Sequence, residues 1–311
     1  MIMTGINQLL PLFLLTIIGI FLGKKKLLSH QFRRELTEFC FMILFPASVI
    51  TSFEGFVMDV DTLMNSGKLI LVGGVWIAVP LLVALGTVRF FHLDKASENV
   101  LIFAAVYNNF GFAGLGMVNS LYGSTGLFYS NMLGLVYRMT NMPLGIWIME
   151  RGRREKCGSK FADIFKTPPV VAILVMIPVA LLRIPLPQVI YDTADMFNDC
   201  LAPVGMVVTG LAISDFSLGE LIKGKACYII SAVRLVLLPA VMAGIMLAMG
   251  LEGTAFTAPL LSMTMPVAAN CALLAEKYQA DSRLAAQCVL LSTLLSLLTI
   301  PVWVAIGERL F

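Results

Sequence analysis

Histidine is nearly missing from this chain: His30 and His92 are the only two in 311 residues, and both fall in short polar stretches between apolar runs. A Ser-His pair or a histidine metal centre inside the apolar body is excluded. The six cysteines (Cys40, Cys157, Cys200, Cys227, Cys271 and Cys288) show no C-x-x-C spacing. All but Cys157 lie in or at apolar runs, where a free cysteine behaves as a small apolar residue. No structural disulfide, metal or other cofactor is expected. Charge is scarce as well, at 13% against 59% hydrophobic residues, where soluble domains carry about 25% and about 45–50%. What acidic charge there is near the apolar runs avoids their interior: Glu54, Glu150, Asp199, Asp215 and Glu276 all stand near the ends of apolar runs.

What remains is a membrane protein. A membrane helix needs about 20 apolar residues, and ten such runs can be drawn: 5–23, 36–56, 69–91, 99–121, 126–149, 168–186, 196–214, 227–250, 255–276 and 284–306. They leave only short connections and no room for a soluble catalytic domain, so no enzyme is expected. No basic stretch precedes the first run, which is therefore expected to be retained as span one.

Cytoplasmic loops collect Lys and Arg. With the amino terminus outside, the outer loops and the carboxyl end hold Lys68, Arg183 and Arg309, the spans hold Arg138 and Arg234, and the other seventeen of the 22 basic residues fall inside. Both termini are thus expected outside a plasma membrane. The basic connection 151–167 is expected to meet anionic lipid at the cytoplasmic face rather than nucleic acid.

The two halves are diverged copies. Adding 158 to a residue number carries Pro11 to Pro169, Ser124 to Ser282 and Pro143 to Pro301, and shifts within one residue carry Pro46 to Pro203 and Pro80 to Pro239. Five spans per copy force the second copy to enter the membrane inverted. The chain divides accordingly into residues 1–150, the linker 151–167, and residues 168–311.

Spans four and nine contain sequence that a plain lipid-facing helix would avoid. Span four reads Asn108-Asn109-Phe110-Gly111-Phe112-Ala113-Gly114, and span nine reads Thr264-Met265-Pro266-Val267-Ala268-Ala269-Asn270. The 158-residue shift carries Asn108 onto Pro266, which has no N–H to donate and clashes with the preceding turn. Interrupted segments at matching places in two halves point to a transporter's binding site, because each break exposes orphan backbone groups and an N-terminal half-dipole that attracts anions.

Span five adds Asn131, Gly134, Arg138 and Asn141 on one helical face. Arg138 would lie about 16 Å from the cytoplasmic end of that span at 1.5 Å per residue. A charge at that depth is by default functional, and with no acidic residue at matching depth the counter-ion could be the substrate. Arg234, about two turns into span eight, suits snorkelling as well as binding. Gly19 and Gly23 form a G-x-x-x-G suited to close helix packing.

Leu44-Phe45-Pro46-Ala47, the Asn109-x-Gly111-Phe112-x-Gly114 run, Pro266 with Asn270, Glu276-Lys277-Tyr278 and Ser292 through Trp303 occur in an order that resembles the auxin efflux carrier family, which includes PIN-type carriers and bacterial malonate permeases. The resemblance covers the whole chain. It implies an all-α membrane protein of ten transmembrane helices in two inverted five-helix repeats, with broken helices 4 and 9 crossing inside a transport domain beside a scaffold domain. That architecture is like that of bile-acid/sodium symporters and NhaA-type exchangers. It also implies an organic-anion substrate and a homodimer. Many relatives carry proline where this chain has Gly116, which predicts a softer break in span four.

The resulting expectation is a carrier of small mono- or dicarboxylates. Its substrate-binding residues would be Asn108, Asn109, Asn270, Arg138, Asn131, Asn141 and Thr264, and its helix breaks would be made by Gly111, Gly114 and Pro266. A sodium- or proton-coupled exchanger of related fold and a receptor that binds without transport are the alternatives.

Overall fold

The computed structural model describes residues 2–54, 59–91, 93–152, 168–214 and 224–310. Its described elements are helical: α1 (Ile2–Lys24), α2 (His30–Phe39), α3 (Phe45–Ser52), α4 (Val60–Thr87), α5 (Lys95–Val106), α6 (Leu115–Met149), α7 (Pro168–Leu181), α8 (Gln188–Ser214), α9 (Lys225–Ala232), α10 (Leu238–Ala248), α11 (Thr254–Met263), α12 (Asn270–Lys277) and α13 (Ser282–Leu310). Wide π-type turns at Cys40–Leu44 and Val233–Leu237 join α2 to α3 and α9 to α10, and a third at Phe110–Gly114 leads into α6.

Counted through these joints, five helices among the described residues are long and apolar enough to cross a membrane: 31–52, 60–90, 188–214, 225–248 and 282–310. Leu14, Ile17, Phe21, Leu71, Leu82, Leu298 and Val302 stand exposed on their outer faces, as side chains meeting lipid should. The chain is a multi-pass, all-α membrane protein. Gly123, at φ 59°, breaks α6 in two, so the fourth and fifth apolar runs meet where the sequence placed a turn. The basic linker expected at 151–167 lies almost wholly outside the described residues, as do His92 and Cys157.

Local sequence explains the ends. Asp59 and Asp94 accept the backbone N–H of Thr62 and Ser97, capping α4 and α5. Those bonds favour the charged carboxylate and hold both groups below the usual range. In α1 and α8, small residues bring two backbones together. A Cβ on Gly19 would stand 2.4 Å from the Val207 carbonyl, and one on Gly210 would stand 2.2 Å from that of Thr16. The G-x-x-x-G pattern is therefore a packing seam against α8.

The helices sort into two groups. One comprises α1, α2, α3, α7 and α8, and the other comprises α4, α5, α6 and α9 through α13. The candidate site lies where they face each other.

Candidate functional site

The second group contains two interrupted helices that cross. After α5 the chain turns extended at Tyr107 (φ −106°, ψ 123°), and after α11 it is non-helical from Thr264 until α12 begins at Asn270. The two stretches pair as one antiparallel bridge at Asn108 and Val267. The Asn109 N–H donates to the Pro266 carbonyl at 2.7 Å, and the Ala268 N–H donates to that of Tyr107 at 3.1 Å. Irregular backbone inside a membrane protein must be satisfied internally, and here each break satisfies the other. The Ser292 hydroxyl of α13 accepts the remaining Val267 N–H at 3.0 Å.

The crossing arranges four helix ends. The C-terminal ends of α5 and α11 converge on one side chain, Arg234, through the carbonyls of Ala105 and Met263, and the starts of the Phe110–Gly114 turn and of α12 line a cavity. That cavity measures about 500 Å³, within the usual range for ligand sites. Its polar lining is Asn108, Asn109, Tyr137, Arg138, Asn141 and Asn270, and its apolar wall is built from Phe41, Met42, Phe45, Phe110 and Phe112. Glu38, Pro168 and Pro169 stand at the α2 and α7 ends of this lining.

Each polar group is held from behind. Arg138 donates from Nη2 to Asn131 Oδ1 at 2.7 Å, and its guanidinium lies 5.2 Å from the Phe110 ring centre. Its Nη1 has no hydrogen-bond partner among the described residues. Asn131 is fixed in turn by donating to Ser52 Oγ at 3.0 Å and to the Ser48 carbonyl at 3.4 Å. Asn109 donates to Thr209 Oγ1 of α8 at 3.2 Å, a bond that crosses between the two helix groups. Asn270 donates to Asn141 Oδ1 at 3.3 Å. The Tyr137 hydroxyl donates to the Asn108 carbonyl, and its ring stacks on Trp76 with centres 5.0 Å apart.

The structure brings Asn108, Asn109, Arg138, Asn141 and Asn270 to one cavity, with Gly111 in its wall. A Cβ on Gly111 would stand 2.6 Å from the Phe45 ring, so that position is kept bare by close approach. Four of the residues singled out from sequence, Thr264, Asn131, Gly114 and Pro266, sit outside the lining. Thr264 is buried and its hydroxyl donates back to Leu261 at 2.7 Å, so it finishes α11 and does not reach the cavity. Asn131 is wholly buried behind Arg138 and orients it. Gly114 faces Met265, 3.1 Å from where its Cβ would stand. Pro266 stands in the break, not in the cavity lining, and its carbonyl holds the Asn109 N–H. The softer break expected beside Gly116 takes the form of an extended residue, Tyr107, a single bridge at Asn108 and a π-type turn, and Gly116 itself lies against Ala202 of α8.

Arg234 does not snorkel. It is fully buried, and Nη1 and Nη2 donate to the carbonyls of Ala105 at 3.1 Å and Met263 at 3.0 Å. Sequence reasoning missed the supporting role of Tyr137, which only its place beside Arg138 hinted at, and that of Thr209, which carried no signal.

The sequence profile of the membrane transport protein family matches residues 4–304. The chain is 20% identical over 314 residues to the uncharacterized transporter YfdV of Escherichia coli, covering 97% of this chain and 98% of that one. It is 22% identical over 305 residues to an uncharacterized transporter of Methanocaldococcus jannaschii, covering 97% and 98%. Over 215 residues, or 68% of each chain, it is 27% identical to an uncharacterized transporter of Methanothermobacter thermautotrophicus. A profile match over nearly the full length, on a multi-pass chain with two interrupted helices crossing beside a cavity, shows that this protein is a transporter, not an enzyme, and belongs to the membrane transport protein family, that of the auxin efflux carriers.

Proposed function

We propose that the chain carries small organic anions across the plasma membrane by alternating access, recognising a carboxylate at Arg138, Asn109, Asn141 and Asn270. The observation that carries this reading is the lone guanidinium. Arg138 lines a cavity, keeps one donor nitrogen unpaired and meets no carboxylate among the described residues. A buried cation without a partner is costly, and an arriving carboxylate matches its planar fork. The N-termini of the Phe110 turn and α12 add positive potential of about +0.5 charge each. Asn109, Asn141 and Asn270 supply neutral donors at fixed places.

The remaining lining narrows the substrate class. Four phenylalanines and Met42 form the apolar wall, and Glu38 stands at the α2 end of the lining. A single carboxylate on an apolar body fits this better than a malonate-like dicarboxylate, whose second charge would face apolar rings or Glu38.

The repeat in the sequence supports ten spans in two inverted halves. On the charge distribution both termini lie outside, and Glu38 and Pro168 then mark the cytoplasmic ends of their spans, so the cavity opens inward. Alternating access would move the crossed helices past the α1, α2, α3, α7 and α8 group, with a second copy of the chain bracing that group as a homodimer. The reading is tested by reconstituting the chain in proteoliposomes and measuring competition by apolar monocarboxylates and short dicarboxylates for uptake of a labelled monocarboxylate. Saturable uptake that Arg138→Gln abolishes is expected. Binding with no flux in any direction would make the chain a receptor.

A further inference from the structure

The crossing that offers two helix N-termini to the cavity must also dispose of two helix C-termini. Each C-terminus carries about −0.5 charge and exposes carbonyls without intrahelical partners. At the crossing the ends of α5 and α11 together bring about one unit of negative charge into a buried place. In carriers built from broken helices, such C-terminal ends and unwound carbonyls are where a coupling cation is coordinated.

Here a side chain of the protein already occupies that position. The Arg234 guanidinium reaches from the Val233–Leu237 turn to Ala105 O, near the end of α5, and to Met263 O, the last residue of α11, with the two bonds within 0.1 Å of each other in length. Its own surface exposure is 0%. Trp76, 5.8 Å from the guanidinium carbon, covers one face, and Asn108 completes the α11 end by donating to Ser262 O at 2.8 Å. Arg234 meets no carboxylate among the described residues. Its positive charge is balanced by the two helix ends.

We propose that Arg234 is a built-in replacement for a coupling metal cation, so that this carrier moves its anion without an alkali-metal co-substrate. A guanidinium cannot leave, so the two C-termini stay neutralised in every conformation and the crossing moves as one body. Arg234 is a positioning residue: it touches neither cavity nor substrate, and it holds the two ends that fix Asn108 and Asn109. This inference rests on the carrier reading for its consequence, although the capping geometry does not.

Two measurements test it, and one needs no substrate. In the first, thermal unfolding of the purified chain is followed in choline, sodium, guanidinium or tetramethylammonium chloride at one low, equal concentration. The parent is expected to unfold at the same temperature in all four. Arg234→Ala is expected to unfold several degrees lower in choline and to be restored in part by guanidinium or sodium, which fit between two carbonyls, and not by tetramethylammonium. In the second, carboxylate uptake is measured with sodium or choline outside. The parent is expected to be indifferent, while Arg234→Ala falls at least tenfold in choline and regains uptake with guanidinium. Where Arg234→Ala cannot be purified, Arg234→Lys and Arg234→Gln replace it, with the charged variant expected to be indifferent to sodium and the neutral one responsive. A parent whose uptake falls tenfold without sodium overturns the proposal, as does a variant that carries normally in choline or one that no cation restores. Lys and Gln variants that behave alike overturn it too. A parent that carries no carboxylate, but whose variant unfolds as described, defeats the carrier reading and leaves the role of Arg234 standing.

Discussion

Asn131→Asp changes one side-chain nitrogen to oxygen and installs the counter-ion that Arg138 lacks. The new carboxylate would sit where Oδ1 already accepts from Arg138 Nη2 at 2.7 Å. Ser52, whose hydroxyl now accepts from Asn131 at 3.0 Å and donates to the Val49 carbonyl at 2.6 Å, would turn its proton to the new carboxylate and give up the Val49 bond, and the Ser48 carbonyl would lose its 3.4 Å donor. The energetic consequence falls on the substrate. Two carboxylates on either side of one guanidinium stand about 6 Å apart and repel by about 2.8 kcal/mol at an effective dielectric of about 20. That is about a 100-fold rise in Kd. A substrate present at 100 times the parent's Kd stabilises the parent by about 2.7 kcal/mol, and it would stabilise the variant by only about 0.4 kcal/mol. The assay is thermal unfolding of parent and variant with and without the carboxylate that the uptake panel selects. The variant without substrate should stay folded, because the counter-ion gained by Arg138 offsets the Val49 and Ser48 hydrogen bonds that are lost. Undiminished stabilisation of Asn131→Asp by substrate would refute the assignment of Arg138 as the anion's partner.

Other expectations follow from the same geometry. Asn109→Ala and Asn270→Ala should each weaken substrate binding by about 1–3 kcal/mol, the cost of stranding a buried polar partner, as measured by the same ligand-induced shift. Pro266→Ala should leave equilibrium binding within a few fold but slow uptake, because a restored N–H lets the break after α11 close toward continuous helix. Equal loss of binding and uptake would count against that account. Gly111→Val should lose binding with little loss of fold, since its side chain would be driven into the Phe45 ring at the cavity wall. A cysteine placed at Ser29 should react with a membrane-impermeant thiol reagent only from the cytoplasm, and one at either terminus only from outside. External labelling at Ser29 would overturn the orientation.

What the sequence made legible was whatever leaves a local mark. Proline alone does not mark a break, since Pro80, Pro143 and Pro301 stand inside continuous helices; the break was visible because Pro266 and the Asn108-Asn109 pair fall at matching places in the two copies. The Asn131 to Asn141 stripe was visible because helical period is a local property, and Arg138 because charge among apolar neighbours is conspicuous. Thr264 misled because it sits beside the break, and sequence proximity does not say whether a hydroxyl faces a cavity or its own preceding turn. Thr209 was invisible: a threonine in an apolar helix donates to the carbonyl four residues back at little cost, and only the tertiary approach of α8 to Asn109 gives it a second use. Arg234 was left open between snorkelling and binding for a similar reason. Its distance from a span end suggested the water surface, whereas its partners are carbonyls contributed by two helices 129 and 29 residues away in sequence. Cys227 and Cys288, which share no motif, come within 3.4 Å.

The two arginines at the crossing, Arg234 fully buried and Arg138 part-buried beside the cavity, differ in what their partners can give up. Arg234 donates to backbone carbonyls at two helix ends, one of which, that of Met263, also accepts from Asn108 at 3.4 Å, and nothing in a transport cycle needs to displace them. Arg138 has a neutral amide oxygen on one nitrogen and an aromatic face 5.2 Å away, an arrangement intermediate between isolation and pairing. Had the partner been a carboxylate, the pair would satisfy itself and an arriving anion would have to break it, a change that costs about 3–5 kcal/mol when a buried pair loses one member. Had there been no partner, the empty carrier would have to return across the membrane with a naked buried cation. An amide oxygen with a ring face is worth about one charge-assisted hydrogen bond and one cation–π contact, roughly 2–5 kcal/mol together. That is enough to hold the guanidinium in place between substrates and leaves its second nitrogen for the anion.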